Sequence, residues 1–409
     1  MNGVASADPQ QIPRVVPNSR SVRSVRHDPA DRPMIVIWEA TRACALACRH
    51  CRAEAMPDAD PRELTTAQAT ELMRQVADFG KPPPIFVITG GDPFERIDLA
   101  DLVRAGRGFG LPMAVSPSGT AKLNEVALAR LQEAGLTALS LSLDGATPEV
   151  HDDFRGIPGT FERTIDGWAG ASELGLRVQI NTTVGRHNVE QLAQIAALVH
   201  ERGAMTWSAF MLVPTGRGID LDALSPGEAE DVLNFLYDVG QTIPTRTTEG
   251  HHFRRVMIQR AELESRGVDH TQALGLGPLY TRLLDQAHSL GLVAQERTRR
   301  PPLNVNSGSG FVFISHLGEV HPSGFLPLSA GNVKTTPLTQ IYRESELFTN
   351  LRDPSLLVGR CGECEFNAVC GGSRSRAFAV TGNVHESDPL CGYQPGSFRW
   401  SDSQVDTAP

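Results

Sequence analysis

Cys44, Cys48 and Cys51 stand in a C-x3-C-x2-C array near the start of this 409-residue chain. Thiolates suit iron–sulfur clusters, which are normally held by four of them, one per iron in the four-iron type. This local array supplies three. An iron without a side-chain ligand can take a small molecule, as the open position of a catalytic metal does. Four more cysteines, Cys361, Cys364, Cys370 and Cys391, gather at the other end, and none lies between Cys51 and Cys361. Scattered core thiols would not divide this way, and an odd total of seven argues against a disulfide framework. Cysteines kept as metal ligands imply a reducing compartment, so the chain reads as cytoplasmic.

Polar turns accompany the first array. Thr89-Gly90-Gly91-Asp92-Pro93 follows an apolar run, and its two glycines let the backbone approach a ligand closely. Ser116-Pro117-Ser118-Gly119-Thr120 follows the next run, and Ser140-Leu141-Ser142-Leu143-Asp144-Gly145 the one after. Ser142 and Asp144 can hydrogen-bond sugar hydroxyls, although an Asp-Gly turn that merely closes a strand explains Asp144 too. Asn181 ends a later run, and Arg155 offers a fork of donors suited to a carboxylate or to an ordinary surface pair. Val213-Pro214-Thr215-Gly216-Arg217-Gly218 closes this series. His252 and Arg254, in Glu249-Gly250-His251-His252-Phe253-Arg254-Arg255, and His321, in His321-Pro322-Ser323-Gly324-Phe325, are weaker candidates for the substrate side. His50, between two cysteines, is expected to pack rather than bind metal.

The elements that must carry these turns alternate. Apolar runs at Met34–Trp38, Ile85–Thr89, Pro112–Ser116, Ala138–Leu143, Val178–Thr183 and Trp207–Val213 read as strands. Between them lie helical patterns. One opens on the capping-box spacing Thr65-x-x-Gln68 and places Leu72, Met73, Val76 and Phe79 on one face. Others carry Val126, Leu128 and Leu131, then Phe161, Ile165 and Trp168, then Leu192, Ile195, Leu198 and Val199. Alternation of this kind implies parallel strands with crossover helices, whose C-terminal ends bear the chemistry. Periodicity alone leaves a partial barrel and an open doubly wound sheet both standing. The expected organisation is a disordered arm over 1–33, an α/β unit over 34–219, a mainly helical bridge over 220–300, a C-terminal cysteine unit over 301–395 with a hairpin at Phe311–Ser315 and Glu319–His321, and a loose tail over 396–409. A net charge of −9 disfavours nucleic acid, and no apolar run approaches a membrane span.

The cysteine loop with its Gly-Gly and Ser-rich turns resembles the radical S-adenosylmethionine (SAM) superfamily, and the C-terminal quartet resembles its SPASM extension. The resemblance implies a partial (β/α)6 TIM-like barrel with a C-terminal auxiliary-cluster domain. It implies SAM chelated by the iron that Cys44, Cys48 and Cys51 leave open, with Gly90, Gly91, Asp92, Pro93, Ser118, Ser142, Asp144, Arg155, Asn181 and Arg217 around the cofactor. Asp92 stands where the family usually has Glu, and Ser118 where it usually has Asn. Two [4Fe-4S] clusters are implied, the second on Cys361, Cys364, Cys370 and Cys391, with a flavodoxin or ferredoxin as reductant. Taken alone, the spacing would favour a zinc knuckle there. The expected activity is reductive cleavage of SAM and hydrogen abstraction from a substrate carbon. Oxidative decarboxylation of porphyrin propionates, as in alternative haem synthases, is one branch, and Arg254 or Arg255 would then receive the propionates. Maturation of a ribosomal peptide is another. A non-enzymatic electron carrier or zinc scaffold is the rival outside catalysis.

Overall fold

The computed structural model describes residues 22–24, 26–293 and 298–400. Seven strands run parallel in chain order: β1 (Ile35–Glu39), β2 (Ile85–Thr89), β3 (Met113–Val115), β4 (Ala138–Ser142), β5 (Arg177–Val184), β6 (Thr206–Met211) and β7 (Thr245–Thr248). Helices α1 (Thr66–Ala77), α2 (Leu99–Gly108), α3 (Glu125–Glu133), α4 (Pro148–Arg155), α5 (Thr160–Glu173), α6 (Leu192–Glu201) and α7 (Pro226–Val239) form the crossovers. The sheet curls into the partial barrel of the expected class. The capping box at Thr65 and Gln68 is present, which satisfies backbone donors that the first turn of α1 leaves free.

Strand alternation assigns the two faces. Leu139 and Leu141 of β4, Val178 and Ile180 of β5, and Trp207 and Ala209 of β6 are buried in the core beneath the helices. Ser140, Ser142, Gln179, Asn181 and Ser208 alternate with them and therefore face the barrel interior. The outer face is the stabilising one, since each large apolar side chain it buries contributes about 1.5–3 kcal/mol. Leu141→Ala would cost about 2–5 kcal/mol through the cavity it leaves. Val126 departs from its expected role: it is 64% exposed, because α3 turns Leu128 and Leu131 inward instead.

Beyond the six expected barrel strands lie one unexpected strand, β7, and the two strands of the expected hairpin. β7 arises within the segment expected to be mainly helical, ahead of α8 (Phe253–Ser265), α9 (His270–Leu274) and α10 (Pro278–Ser289). β8 (Phe311–Ile314) pairs parallel with β1 at Ile37↔Phe313, and β9 (Val320–His321) folds back antiparallel as a hairpin. The C-terminal segment thus extends the barrel sheet before it turns into α11 (Leu338–Glu344), α12 (Glu346–Arg352), α13 (Gly359–Glu363) and α14 (Arg374–Thr381).

The arm and the tail lie partly outside the described residues, and their described parts are packed. Val22 is buried against Ile258, Phe366 and Val369, and the Arg23 amide donates to Pro302 O at 2.9 Å. Trp400 packs on Phe366 and Phe398. Apolar contacts that are distant in sequence override the polar composition on which the looser expectation rested. Among the described residues no helix is long and apolar enough to cross a membrane.

Candidate active site

The cysteine loop leaves the C-terminal end of β1, where a parallel barrel gathers its chemistry. Cys44 and Cys48 are buried, Cys51 is half-buried, and Leu46, Ala55 and Ile157 pack beside them. Each sulfur has a donor at hand. Leu46 N–H points to Cys44 Sγ at 3.4 Å, Ala55 N–H to Cys51 Sγ at 3.4 Å, and Arg155 Nη1 to Cys48 Sγ at 3.7 Å. Burial pushes the free Cys44 thiol up to about 11 and raises Cys48 as well. A bound metal removes that proton outright, so the same burial that opposes a free thiolate favours a metal-bound one.

Three loops grip this segment from different sides. A Cβ placed on Gly91, after β2, would strike the Ala43 carbonyl oxygen. On Gly156, after α4, it would lie 2.7 Å from Ala47 O, and on Gly216, after β6, 2.5 Å from Cys51 O. Each glycine thus presses on a carbonyl at or next to one of the three cysteines. Hydrogen bonds run alongside: Asp92 N–H to Ala43 O at 2.8 Å, Arg49 N–H to Phe154 O at 3.0 Å and Arg217 N–H to Cys51 O at 3.1 Å. Three thiols, each with a nearby donor, on a backbone held at three points fit an iron–sulfur cluster.

The surrounding polar residues divide into those that build the cradle and those that line the barrel interior, where Asn181 Oδ1 accepts from Gln179 Nε2 at 2.6 Å. Asp92 is fully buried and accepts from Phe94 N (3.1 Å), Ser118 N (3.4 Å) and Thr120 Oγ1 (2.7 Å). Its short carboxylate ties the turn after β2 to the turn after β3, which is the role the structure gives to the departure from Glu. Ser118 donates to Gly91 O at 2.8 Å and lies 3.7 Å from Cys44 Sγ. Pro93 opens the short helical turn that Asp92 caps. Asp144 is also fully buried. It is ion-paired with Arg155 and accepts from Thr183 N at 2.6 Å, so both carboxylate oxygens are engaged within the protein. Burial pushes the Asp144 carboxyl up, but Arg155, His50, His151 and the Thr183 amide together outweigh it and hold the group near 2. Ser142 and Asn181 are in register on adjacent strands and half-buried on the interior face. The Arg217 side chain is exposed; its backbone, not its guanidinium, meets the cysteine loop.

The ring of His50 stacks on Phe154 with centroids 4.3 Å apart, and Phe154 stacks on His187 at 3.6 Å. Burial drives His50 down to about 3, so it is neutral. Phe154 and His187 carried no signal beyond the neighbouring Arg155. Glu39 was also missed. It ends β1, accepts from Arg52 at 2.9 Å and lies 2.8 Å from His316 Nδ1. A carboxylate at the end of the first strand was the available clue.

The C-terminal quartet forms a second site, in which all four cysteines line one pocket with Arg255, Phe366 and Tyr393. Cys361 Sγ accepts from Asp388 N at 3.4 Å and lies 3.8 Å from Arg374 Nη2, while Gly372 N–H points to Cys370 Sγ at 3.5 Å. Burial pushes Cys364 up to about 12 and Cys370 higher still. Arg376 bolts this unit to the barrel, pairing with Asp388 and donating to Met211 O at the end of β6 at 3.0 Å. Glu249 joins the same seam, accepting from Ser323 and Ser375 at 2.9 Å each. Among the described residues no three His, Cys, Asp or Glu side chains converge on a position for a single ion. Ligands of a four-iron cluster stand on different metal atoms and need not converge so.

Of the substrate-side expectations, those for His252, Arg254 and Arg255 need correction. His252 is fully buried at the start of α8, with no hydrogen-bond partner for either ring nitrogen among the described residues; its Nδ1 lies 4.0 Å from Asp388. Arg254 is a brace: it donates to Val369 O at 2.7 Å, to Asn304 at 3.3 Å and to Val305 O. Arg255 is ion-paired with Glu230, donates to Gln259 at 2.7 Å and covers the Tyr393 ring. Neither arginine is free for a substrate. His321 stays half-buried, with Nδ1 3.0 Å from Leu328 O, beside Phe313 on the interior face.

Comparison with known proteins places these sites in context. The profile described as the Radical SAM superfamily matches residues 38–199. The AdoMet-dependent heme synthase of Oleidesulfovibrio alaskensis is 40% identical over 365 residues, covering 88% of this chain and 87% of that protein. Mycofactocin maturase MftC of Mycobacterium ulcerans is 30% identical, covering 88% of each. Among solved structures, Streptococcus suis SuiB matches with a TM-score of 0.63 at 14% identity over 89% of this chain and 78% of that one, a likeness of fold alone.

Proposed function

The chain belongs to the radical SAM superfamily, and from that premise we propose that it removes carboxyl groups oxidatively from the propionates of a porphyrin. The observation that carries this reading is the 40% identity to a heme synthase over 88% of the chain, against 30% to the peptide maturase. The family implies SAM and a [4Fe-4S] cluster, which Cys44, Cys48 and Cys51 would hold. When bound, that cluster supplies the electron that cleaves SAM to a 5′-deoxyadenosyl radical able to take hydrogen from an unreactive carbon. Cys361, Cys364, Cys370 and Cys391 are assigned a second cluster, which would supply an acceptor for the electron left when carbon dioxide departs and a vinyl group forms. A flavodoxin or ferredoxin is assigned as reductant.

The chain's own residues do the rest. Gly91, Gly156 and Gly216 hold the backbone of the cysteine loop in place. Asp92 and Asp144 fix the turns that flank it, and Ser142 and Asn181 offer polar groups to the cofactor from the barrel interior. The curled sheet encloses the reacting carbon and limits side reactions with solvent.

The test uses anaerobically reconstituted protein, dithionite, SAM and an iron porphyrin bearing propionates. Vinyl product and 5′-deoxyadenosine are expected together, and Cys48→Ala abolishes both. Persistent 5′-deoxyadenosine in that variant refutes the cluster assignment. SAM cleavage with an unchanged porphyrin refutes the substrate and moves the reading to a peptide. Metal analysis of the Cys44/Cys48/Cys51 triple-alanine variant decides the quartet: iron and sulfide are expected, and zinc alone overturns the second cluster.

A further inference from the structure

Arg254 and Arg255 are occupied, so a propionate-bearing substrate needs another cation. One stands inside the barrel. The pairing of β4 to β7 aligns Ser142↔Asn181, Asn181↔Ser208 and Ser208↔Arg246, one polar residue per strand in a continuous row. All four lie on the interior face, opposite the Leu141, Ile180 and Trp207 side chains buried beneath the helices. Arg246 is half-buried, and its Nε donates to Ser208 Oγ at 3.3 Å. That hydroxyl also lies 3.5 Å from Thr248 Oγ1. No Asp or Glu among the described residues comes within ion-pair distance of Arg246. Three other arginines named above are engaged: Arg52 with Glu39, Arg155 with Asp144 and Arg376 with Asp388. Burial lowers Arg246 to about 10, and the charge of Arg300 adds to this, so the group remains a cation at neutral pH without a counter-charge among the described residues. A partly desolvated guanidinium gains most from a carboxylate, which it can grip through two parallel hydrogen bonds.

The geometry points to Arg246 as the residue that receives a substrate carboxylate inside the barrel, with Ser208 orienting its guanidinium. The inference rests on the porphyrin reading above and names the contact that reading lacks. Arg246 fixes which propionate faces the row of Ser142 and Asn181, from which the cofactor is expected to act.

The experiment is a titration of the reconstituted protein with an iron porphyrin bearing free propionates and with its methyl ester, followed by the shift of the porphyrin absorption band. The wild type is expected to bind the acid at least tenfold more tightly than the ester. Arg246→Gln is expected to lose that preference, and Arg246→Lys to keep part of it, since an ammonium retains the charge without the fork. Circular dichroism and iron content report whether each variant is folded and loaded, and the lysine variant serves if the glutamine one is not. Acid binding by Arg246→Gln equal to wild type overturns the inference and leaves the porphyrin reading standing. Failure of the wild type to bind either porphyrin overturns both.

Discussion

Arg155 lies between two buried groups: its Nη1 is 3.7 Å from Cys48 Sγ, and its Nη2 is ion-paired with Asp144. Asp144 has no exposure to water, so this one guanidinium is its counter-charge. Removing one member of a buried pair costs about 3–5 kcal/mol, because the other charge is left uncompensated. Arg155→Gln is expected to lose stability on that scale, and Asp144→Asn added to it should recover most of the loss. Urea unfolding of the metal-free variants measures both, and the double variant at or below the single one would show that the pair is not the source.

The glycine clamp predicts a contrast between two similar positions. Gly156 has φ of +74° and sits against Ala47 O, whereas Gly175 has φ of +72° with no atom of the described residues within 4 Å of an added Cβ. Alanine at either site pays the left-handed strain of about 1–2 kcal/mol. Only Gly156→Ala should also displace the Cys48 turn. Iron content is expected to fall in Gly156→Ala and to hold in Gly175→Ala; equal iron in both would remove the clamp from the account.

Arg374 offers a way to tune the C-terminal site. Its Nη2 lies 3.8 Å from Cys361 Sγ, and its Nη1 donates to Val384 O at 2.7 Å and Glu386 O at 2.8 Å. A positive group beside a ligand sulfur stabilises the reduced, more negative state of a cluster. Arg374→Gln is expected to move the midpoint potential of that cluster to more negative values, and Arg374→Lys to move it less. A potentiometric titration followed by electron paramagnetic resonance, in the triple-alanine background, reads the second cluster alone. An unmoved midpoint in Arg374→Gln would exclude this role.

Acid stability should respond to Glu228. It closes the capping box of α7 with Ser225 and pairs with Arg186, which holds its carboxyl near 2 rather than the usual 4.5. A depressed folded value adds stability above the unfolded value and loses it as pH falls toward the folded one. Glu228→Gln keeps a cap-forming side chain and loses the charge. It should cost below about 1 kcal/mol at pH 7, since the pair is partly exposed. The difference from wild type should shrink as pH falls through 4.5 and vanish near 2. Urea midpoints across that range measure it, and a gap that does not change with pH would assign the effect to the cap instead.

What the chain announced by itself was local. Three cysteines within eight residues, the Thr65 capping box and the alternation along β4 each depend on neighbours in sequence, so spacing and pattern suffice to read them. The family followed from the same short turns. Tertiary structure decided which polar groups are left free. Asp92 and Asp144 carried the appearance of ligand-facing carboxylates, yet both are consumed in holding turns from different strands together. Arg254 and His252 lie in a promising polar run but are buried against the C-terminal unit. Arg246 looked like any arginine until strand order and register set it beside Ser208, in line with Asn181 and Ser142. A side chain's neighbours across a sheet are chosen by the packing of the whole chain, and no window of sequence contains them.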